Sequence, residues 1–237
     1  MTTNDSATIP EAEPLAAAAD LATALRDLIE TAVTTTVPAA EVRAAADLVR
    51  QVTERLAVAR RPASQLPALD DVATGRRVFN PVTGAGSPLA PPLVVRREGD
   101  GVVGYATLGI AYEGPPSFVH GGMSALLMDQ LLGSAAAAAG VWGMTAHLAL
   151  DYRGPLPLET KLVLRAGVAE TSGRKSVITG TIALAEDPER VLVEARGVFV
   201  LPRPEKAEAY FGAITDASGR HTPPRRPSDA TELDERD

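Results

Sequence analysis

The sequence has no cysteine among its 237 residues. That excludes disulfides, thiolate-ligated zinc, iron–sulfur clusters and thiolate nucleophiles from its chemistry. Histidine is scarce as well: there are three, His120, His147 and His221, and their wide separation argues against a histidine-based metal site. Aromatic residues make up 4%, and 23 Lys+Arg against 30 Asp+Glu leave a formal charge of −7. A nucleic-acid surface needs clustered cations and stacking rings, so no nucleic-acid partner is expected. No uninterrupted apolar run reaches the ~18–20 residues of a membrane span, so no membrane partner is expected either. Residues 1–13 are polar and acidic, without the basic-then-apolar layout of a secretory signal. The expectation is a cytoplasmic protein with a disordered N-terminus.

What is present is 45% apolar residues, enough for one ordinary core with appendages. Residues 14–61 carry two amphipathic patterns, Leu15 to Val33 and Val42 to Leu56, broken by Pro38. They predict a helical hairpin. Residues 62–92 are rich in Pro and Gly and form an irregular connector. From 93 to 201 the pattern changes. Leu93–Arg97 and Val102–Leu108 read as strands around an Asp100-Gly101 turn signal. Gly121 to Ala139 is an apolar stretch with no β-branched residue, a helix apolar nearly all round and therefore buried. Met144–Arg153, Lys161–Ala169, Ser176–Ala185 and Val191–Leu201 then read as strands, with Ser172-Gly173 and Asp187-Pro188 among the separators. Residues 202–237, charged and Pro-rich, are expected to be mostly a disordered tail. A long buried helix followed by antiparallel strands is an α+β layer in which a sheet wraps one helix. The hotdog fold is built this way.

Two familiar motifs fail on inspection. Gly122-Met-Ser124-Ala-Leu126 lacks the fifth glycine of a nucleophile elbow and the parallel sheet around it. Gly173-Arg-Lys-Ser176 lacks the first half of a P-loop, and a turn explains it better. The informative stretch is His120-Gly121-Gly122, which leads into the apolar helix, with Asp129 midway along it. Backbone N–H groups at a helix start have no intrahelical partner and sit at the positive end of the dipole, a setting that suits a developing oxyanion. Asp129 lies between Leu126-Leu127-Met128 and Leu131-Leu132. It either shares a narrow exposed stripe with Gln130 or is a carboxylate kept in apolar company for use. His120 is either a cap or part of a site. The nine-residue offset from His120 to Asp129 spans roughly 13 Å of helix. If both serve one reacting group, a second copy must supply one of them, so the hypothesis requires a homodimer.

Asn80-Pro81, His120-Gly121-Gly122, Asp129, Met144-Thr145-Ala146 and Asp151-Tyr152-Arg153-Gly-Pro155-Leu-Pro157 together resemble the PaaI-like acyl-CoA thioesterases of the hotdog superfamily, over roughly residues 78–201. The resemblance implies a thiolester hydrolase whose substrate is an acyl-CoA, with no cofactor beyond the coenzyme A of that substrate. It also implies assembly as a homodimer or a dimer of dimers. On it, Asp129 is the nucleophile or general base, Gly121 and Gly122 polarise the thioester carbonyl through their N–H groups, His120 shapes their turn, and Thr145 orients water or substrate. Asn80 falls within the matching pattern as a substrate-binding position, and Arg153, Arg174 and Lys175 lie where such proteins meet coenzyme A phosphates. Ordinary solvated charge at strand ends is the other reading of those three. The chain departs from the pattern at Gly114, six residues before His120, where relatives carry Asn, Gln or His. Glu113 beside it is the substitute candidate, able to donate a hydrogen bond only when protonated. The alternative function is a non-catalytic hotdog module that binds an acyl-CoA or another acyl ligand. A hydratase would need an Asp/His pair, and neither His147 nor His221 is placed by sequence to partner Asp129.

Overall fold

The structure, a computed structural model, describes residues 12–71, 74–91 and 93–221. Two helices lead, α1 (Ala12–Thr34) and α2 (Ala39–Ala57), followed by the irregular connector. The strands and helices of the main layer are β1 (Val94–Glu98), β2 (Gly101–Thr107), α3 (Gly121–Ala138), β3 (Met144–Tyr152), β4 (Lys161–Ser172), β5 (Lys175–Leu184) and β6 (Asp187–Val200). The six strands form one sheet in the order β1-β2-β4-β5-β6-β3, and every pairing is antiparallel. The sheet wraps α3, which is the hotdog arrangement. β1 and β3 are its two edges.

Burial follows from the pattern that suggested it. Leu127, Met128, Leu131, Leu132 and Ala135 of α3 are fully enclosed, against Leu162, Leu164, Ile178, Ile182 and Val193 from one face of the sheet. Each such large apolar side chain removed from water is worth about 1.5–3 kcal/mol. Gly180 lets the helix come close: a Cβ there would stand 2.7 Å from the Met128 methyl and 2.6 Å from the Arg165 carbonyl oxygen.

Turn chemistry differs from expectation at two hairpins. The β1–β2 turn is made by Gly99-Asp100, one residue before the expected Asp-Gly step, because Gly99 takes the left-handed φ of +56°. Between β5 and β6 the turn is Ala185-Glu186, and Asp187-Pro188, expected as a separator, lies inside β6. Leu184 faces Asp187 while Ala183 faces Val191. The bulge thus takes up Pro188, which has no N–H to give a ladder.

The two N-terminal helices form as expected but are held differently. The Glu30 carboxylate accepts the Ile110 and Ala111 N–H groups at 2.8 and 3.1 Å, and Arg26 donates to the Ser87 carbonyl at 2.9 Å. These contacts fix α1 on the main layer, whereas α2 contains no buried residue. The disordered tail needs correction within the described residues. Pro204–Phe211 is a helix, α4, with proline in its first turn, and the Phe211 ring lies 6.4 Å from that of Trp142. Beyond it, the Leu66 N–H donates to the Thr215 carbonyl at 2.8 Å, and the Thr215 N–H to the Ser64 carbonyl at 3.0 Å. Proline suits the first helical position because its missing N–H would have no partner there. Residues 222–237 of the expected tail, and 1–11 of the expected N-terminus, lie outside the described residues.

Candidate functional site

The segment before α3 is a tight loop closed by its own backbone. Gly114 donates to Phe118 O, and His120 donates to Tyr112 O, each at 2.9 Å; Val119 donates to Leu156 O at 2.9 Å. At Gly114 a Cβ would sit 2.7 Å from the His120 Cα and 3.1 Å from its Cβ. A side chain there would run into His120, so the polar residue that the resemblance implies six residues before His120 has no room. Glu113 does not replace it: its carboxylate accepts the Ser117 N–H at 2.8 Å and shapes the loop, whose Ser117 adopts a φ of +71°.

The loop delivers His120 as the N-cap of α3, in extended conformation, with its Nδ1 accepting the Gly122 N–H at 3.0 Å. That bond engages the Gly122 N–H. The Gly121 N–H has no acceptor among the described residues, as the geometry of a helix's first turn allows. Tyr152, the last residue of β3, stands over this point and donates to the Gly121 carbonyl at 2.8 Å. A cavity of about 310 Å³ opens here, lined by Phe118, Val119, Gly121, Ser124, Tyr152 and Leu156 among others.

Asp129 lies two turns further along α3, about 12 Å from Gly121 at 1.5 Å per residue. It is half-buried and accepts the Thr145 hydroxyl at 2.9 Å. Its neighbour Gln130 is half-buried too, so the two do not form an exposed stripe. Gln130 accepts from Asn80 Nδ2 at 3.0 Å and donates to Ser134 Oγ at 3.3 Å. Asn80 in turn accepts the Val82 and Thr83 N–H groups at 2.8 and 3.0 Å, an Asx turn that pins the connector beside Asp129.

The candidate residues therefore form two groups. His120, Gly121, Gly122, Glu113, Gly114 and Arg153 gather at the Tyr152 end of β3; Asp129, Thr145 and Asn80 gather at its Met144 end. The seven-residue offset from Thr145 to Tyr152 spans roughly 24 Å of extended chain. Lys175 and Met144 both pair with Val200, which puts Arg174 and Lys175 at the Asp129 end of the sheet. Arg174 donates to the Leu201 carbonyl at 2.6 Å. Arg153 is exposed and binds Glu194 at 2.9 Å, with Asp151 at 4.0 Å. The Glu194 hydrogen bond, and then the charges of Glu194 and Asp151, raise its pKa further, so it is a neutralised cation rather than an open one. A larger groove of about 710 Å³ crosses the sheet between Arg165, Thr181 and Arg196. Its polar lining side chains, Arg165, Thr179, Thr181, Glu194 and Arg196, alternate with the α3-facing ones, so it opens on the outer face; none of the candidate residues lines it. Tyr152, Ser124 and Gln130 are polar neighbours to which the sequence reading gave no part in the site. The signal for Tyr152 was the alternation of β3, and for Ser124 a hydroxyl within an otherwise apolar helix face.

A buried helix wrapped by an antiparallel sheet, with a glycine-led helix start and a carboxylate two turns in, defines a hotdog protein of the thioesterase kind. The family model described as the thioesterase superfamily matches residues 117–191. A solved crystal structure of a thioesterase superfamily protein is 35% identical, with a TM-score of 0.67, over 77% of this chain and 94% of that one. The acyl-coenzyme A thioesterase THEM4 of Mus musculus is 36% identical over 98 residues, 41% of this chain and 42% of that protein. The acyl-coenzyme A thioesterase THEM5 of Homo sapiens is 30% identical over 88 residues, 37% of this chain and 35% of that protein. The chain thus spans about four-tenths of the length of the curated relatives it matches. It belongs to the thioesterase superfamily.

Proposed function

We propose that this chain hydrolyses the thioester of an acyl-CoA, working as a homodimer in which each site joins the two ends of β3. The observation that carries the reading is the pairing of the half-buried Asp129 carboxylate with Thr145, at the far end of an edge strand from the open Gly121 N–H. An edge strand has free hydrogen-bonding groups along one side. Two copies of β3 paired antiparallel about a two-fold axis would bring Asp129 of one copy to Gly121 of the other. Names borne by relatives, acyl-coenzyme A thioesterases among them, support the same substrate class.

In this mechanism the thioester carbonyl oxygen points at the Gly121 N–H, where the helix dipole favours the charge that develops on it. Asp129 either attacks the carbonyl carbon or takes a proton from water that does so. The C–S bond breaks, the coenzyme A sulfur leaves as a thiolate and is protonated, and water supplies the second oxygen of the free acid. Thr145 holds the carboxylate in one orientation. Gly122 was expected to share the oxyanion role, but its N–H is bound to His120, so the reading now rests on Gly121. Asn80, Arg153, Arg174 and Lys175 keep a proposed part in binding the substrate's polar end.

The test is free-thiol release from a panel of short, long and aromatic acyl-CoAs. Asp129→Asn should lower the rate on the order of 10²–10³-fold; undiminished turnover in that variant would sink the assignment. Gly114 favours one rival, a hotdog module that binds acyl-CoA without turning it over, since the polar residue of relatives has no room there. Stabilisation of the wild type by an acyl-CoA, with no thiol release anywhere, would establish that rival.

A further inference from the structure

We infer that Ser124 is a catalytic hydrogen-bond donor: its hydroxyl and the Gly121 N–H together hold the thioester carbonyl oxygen. The inference rests on the thioesterase reading and deepens it. With the Gly122 N–H engaged by His120 and the Tyr152 hydroxyl by the Gly121 carbonyl, a lone N–H would face the oxyanion from this helix start. Ser124 supplies what is missing. It is 2% exposed, and its hydroxyl makes no hydrogen bond among the described residues. Among the described residues, no fully enclosed side-chain oxygen or nitrogen is left without a partner. The small area Ser124 exposes therefore includes its hydroxyl, and that area faces the 310 Å³ cavity it lines with Gly121, Phe118 and Tyr152.

Helix geometry aims the group correctly. Residues three apart share a face, and the Cα–Cβ bond tilts toward the N-terminus, so the Ser124 side chain leans over the turn that begins at Gly121. The Gly121 N–H points out along the same end of the axis. One carbonyl oxygen in the cavity can therefore meet both donors. Serine hydroxyls in helices often bond back to the carbonyl four residues before; here the His120 carbonyl accepts the Met123 and Ser124 N–H groups instead. Nor is Ser124 a nucleophile, because no base contacts its hydroxyl. Its part is to donate a proton in a hydrogen bond and keep it.

The test uses the full chain, Ser124→Ala and Ser124→Cys, the latter close to serine in volume but a weak donor. Both should lower kcat on the order of 10²-fold. KM and thermal midpoint should stay near wild type. Affinity for an alkyl-CoA thioether, which has no carbonyl oxygen, should be unchanged. A residue that merely packs would move the midpoint or the thioether affinity along with kcat, and that result overturns the inference. So does an active wild type, silenced by Asp129→Asn, whose Ser124 variants turn over within twofold of it; the thioesterase reading then survives. A wild type with no thiol release on any acyl-CoA brings down both.

Discussion

Gly114 shows how a single missing side chain shapes this site. Its hydrogen on Cα faces His120, and a methyl group there would lie 2.7 Å from the His120 Cα, a contact that backbone, not a mobile side-chain tip, would have to relieve. Gly114→Ala should destabilise the protein by about 1–3 kcal/mol, the usual range for overpacking. It should also lower thioester hydrolysis, because the displaced segment carries the cap of α3. Calorimetry beside the thiol assay checks both; a variant with wild-type midpoint and rate would show that the loop yields freely. The departure at 114 was legible in the sequence, but its cause was not, since a glycine written in a string does not say which neighbour it makes room for. His120 was likewise legible as a cap or a site residue. That its ring would accept the Gly122 N–H, and so withdraw that donor, depended on a rotamer no spacing specifies.

Periodicity made the elements readable. The apolar faces of α3, β4 and β5 come from spacings of 3.6 and 2, and the core falls where they predict. Two kinds of element resisted. Hairpin turns shifted by a residue or more where a glycine's left-handed conformation or a proline-bearing bulge outweighed the local turn signal. α4 escaped because a short charged segment gains its order from a contact with Trp142, some 70 residues away in sequence. The docking of α1 was hidden for the same reason. Glu30 caps a turn 80 residues on, and no pattern within the helix reports it. Glu30→Ala leaves two backbone N–H groups without their acceptor and should cost about 1–3 kcal/mol. Limited proteolysis should then cut within residues 12–57 first, since α2 buries nothing. An unchanged midpoint and cleavage pattern would mean that Arg26 and apolar contacts alone hold α1.

At the scale of the whole molecule, the candidate site is split. Asp129 with Thr145 and Gly121 with Tyr152 lie at opposite ends of β3, and a helix of fixed rise keeps the first pair from the second within one chain. The sequence already contained that arithmetic, and with it the condition that one site using both groups needs a second copy. It did not contain the strand order that makes β3 an edge, because pairing partners far apart in sequence leave no local trace. Gly121→Pro isolates the other half of the split site. Proline at the first helical position is tolerated and removes the N–H; its Cβ would stand 3.3 Å from the Tyr152 hydroxyl, a side-chain tip that can give way, and the extended His120 before it suits a following proline.

The central claim is tested most directly by mixing two inactive chains. Asp129→Asn and Gly121→Pro should each abolish most turnover alone. Unfolded and refolded together, they form mixed dimers in which one site carries both defects and the other neither. Random pairing then restores about a quarter of wild-type activity if each site draws its two groups from different copies. Thiol release at that level, absent from either variant by itself, is the expected result. Mixed samples no more active than their components would contradict the shared site.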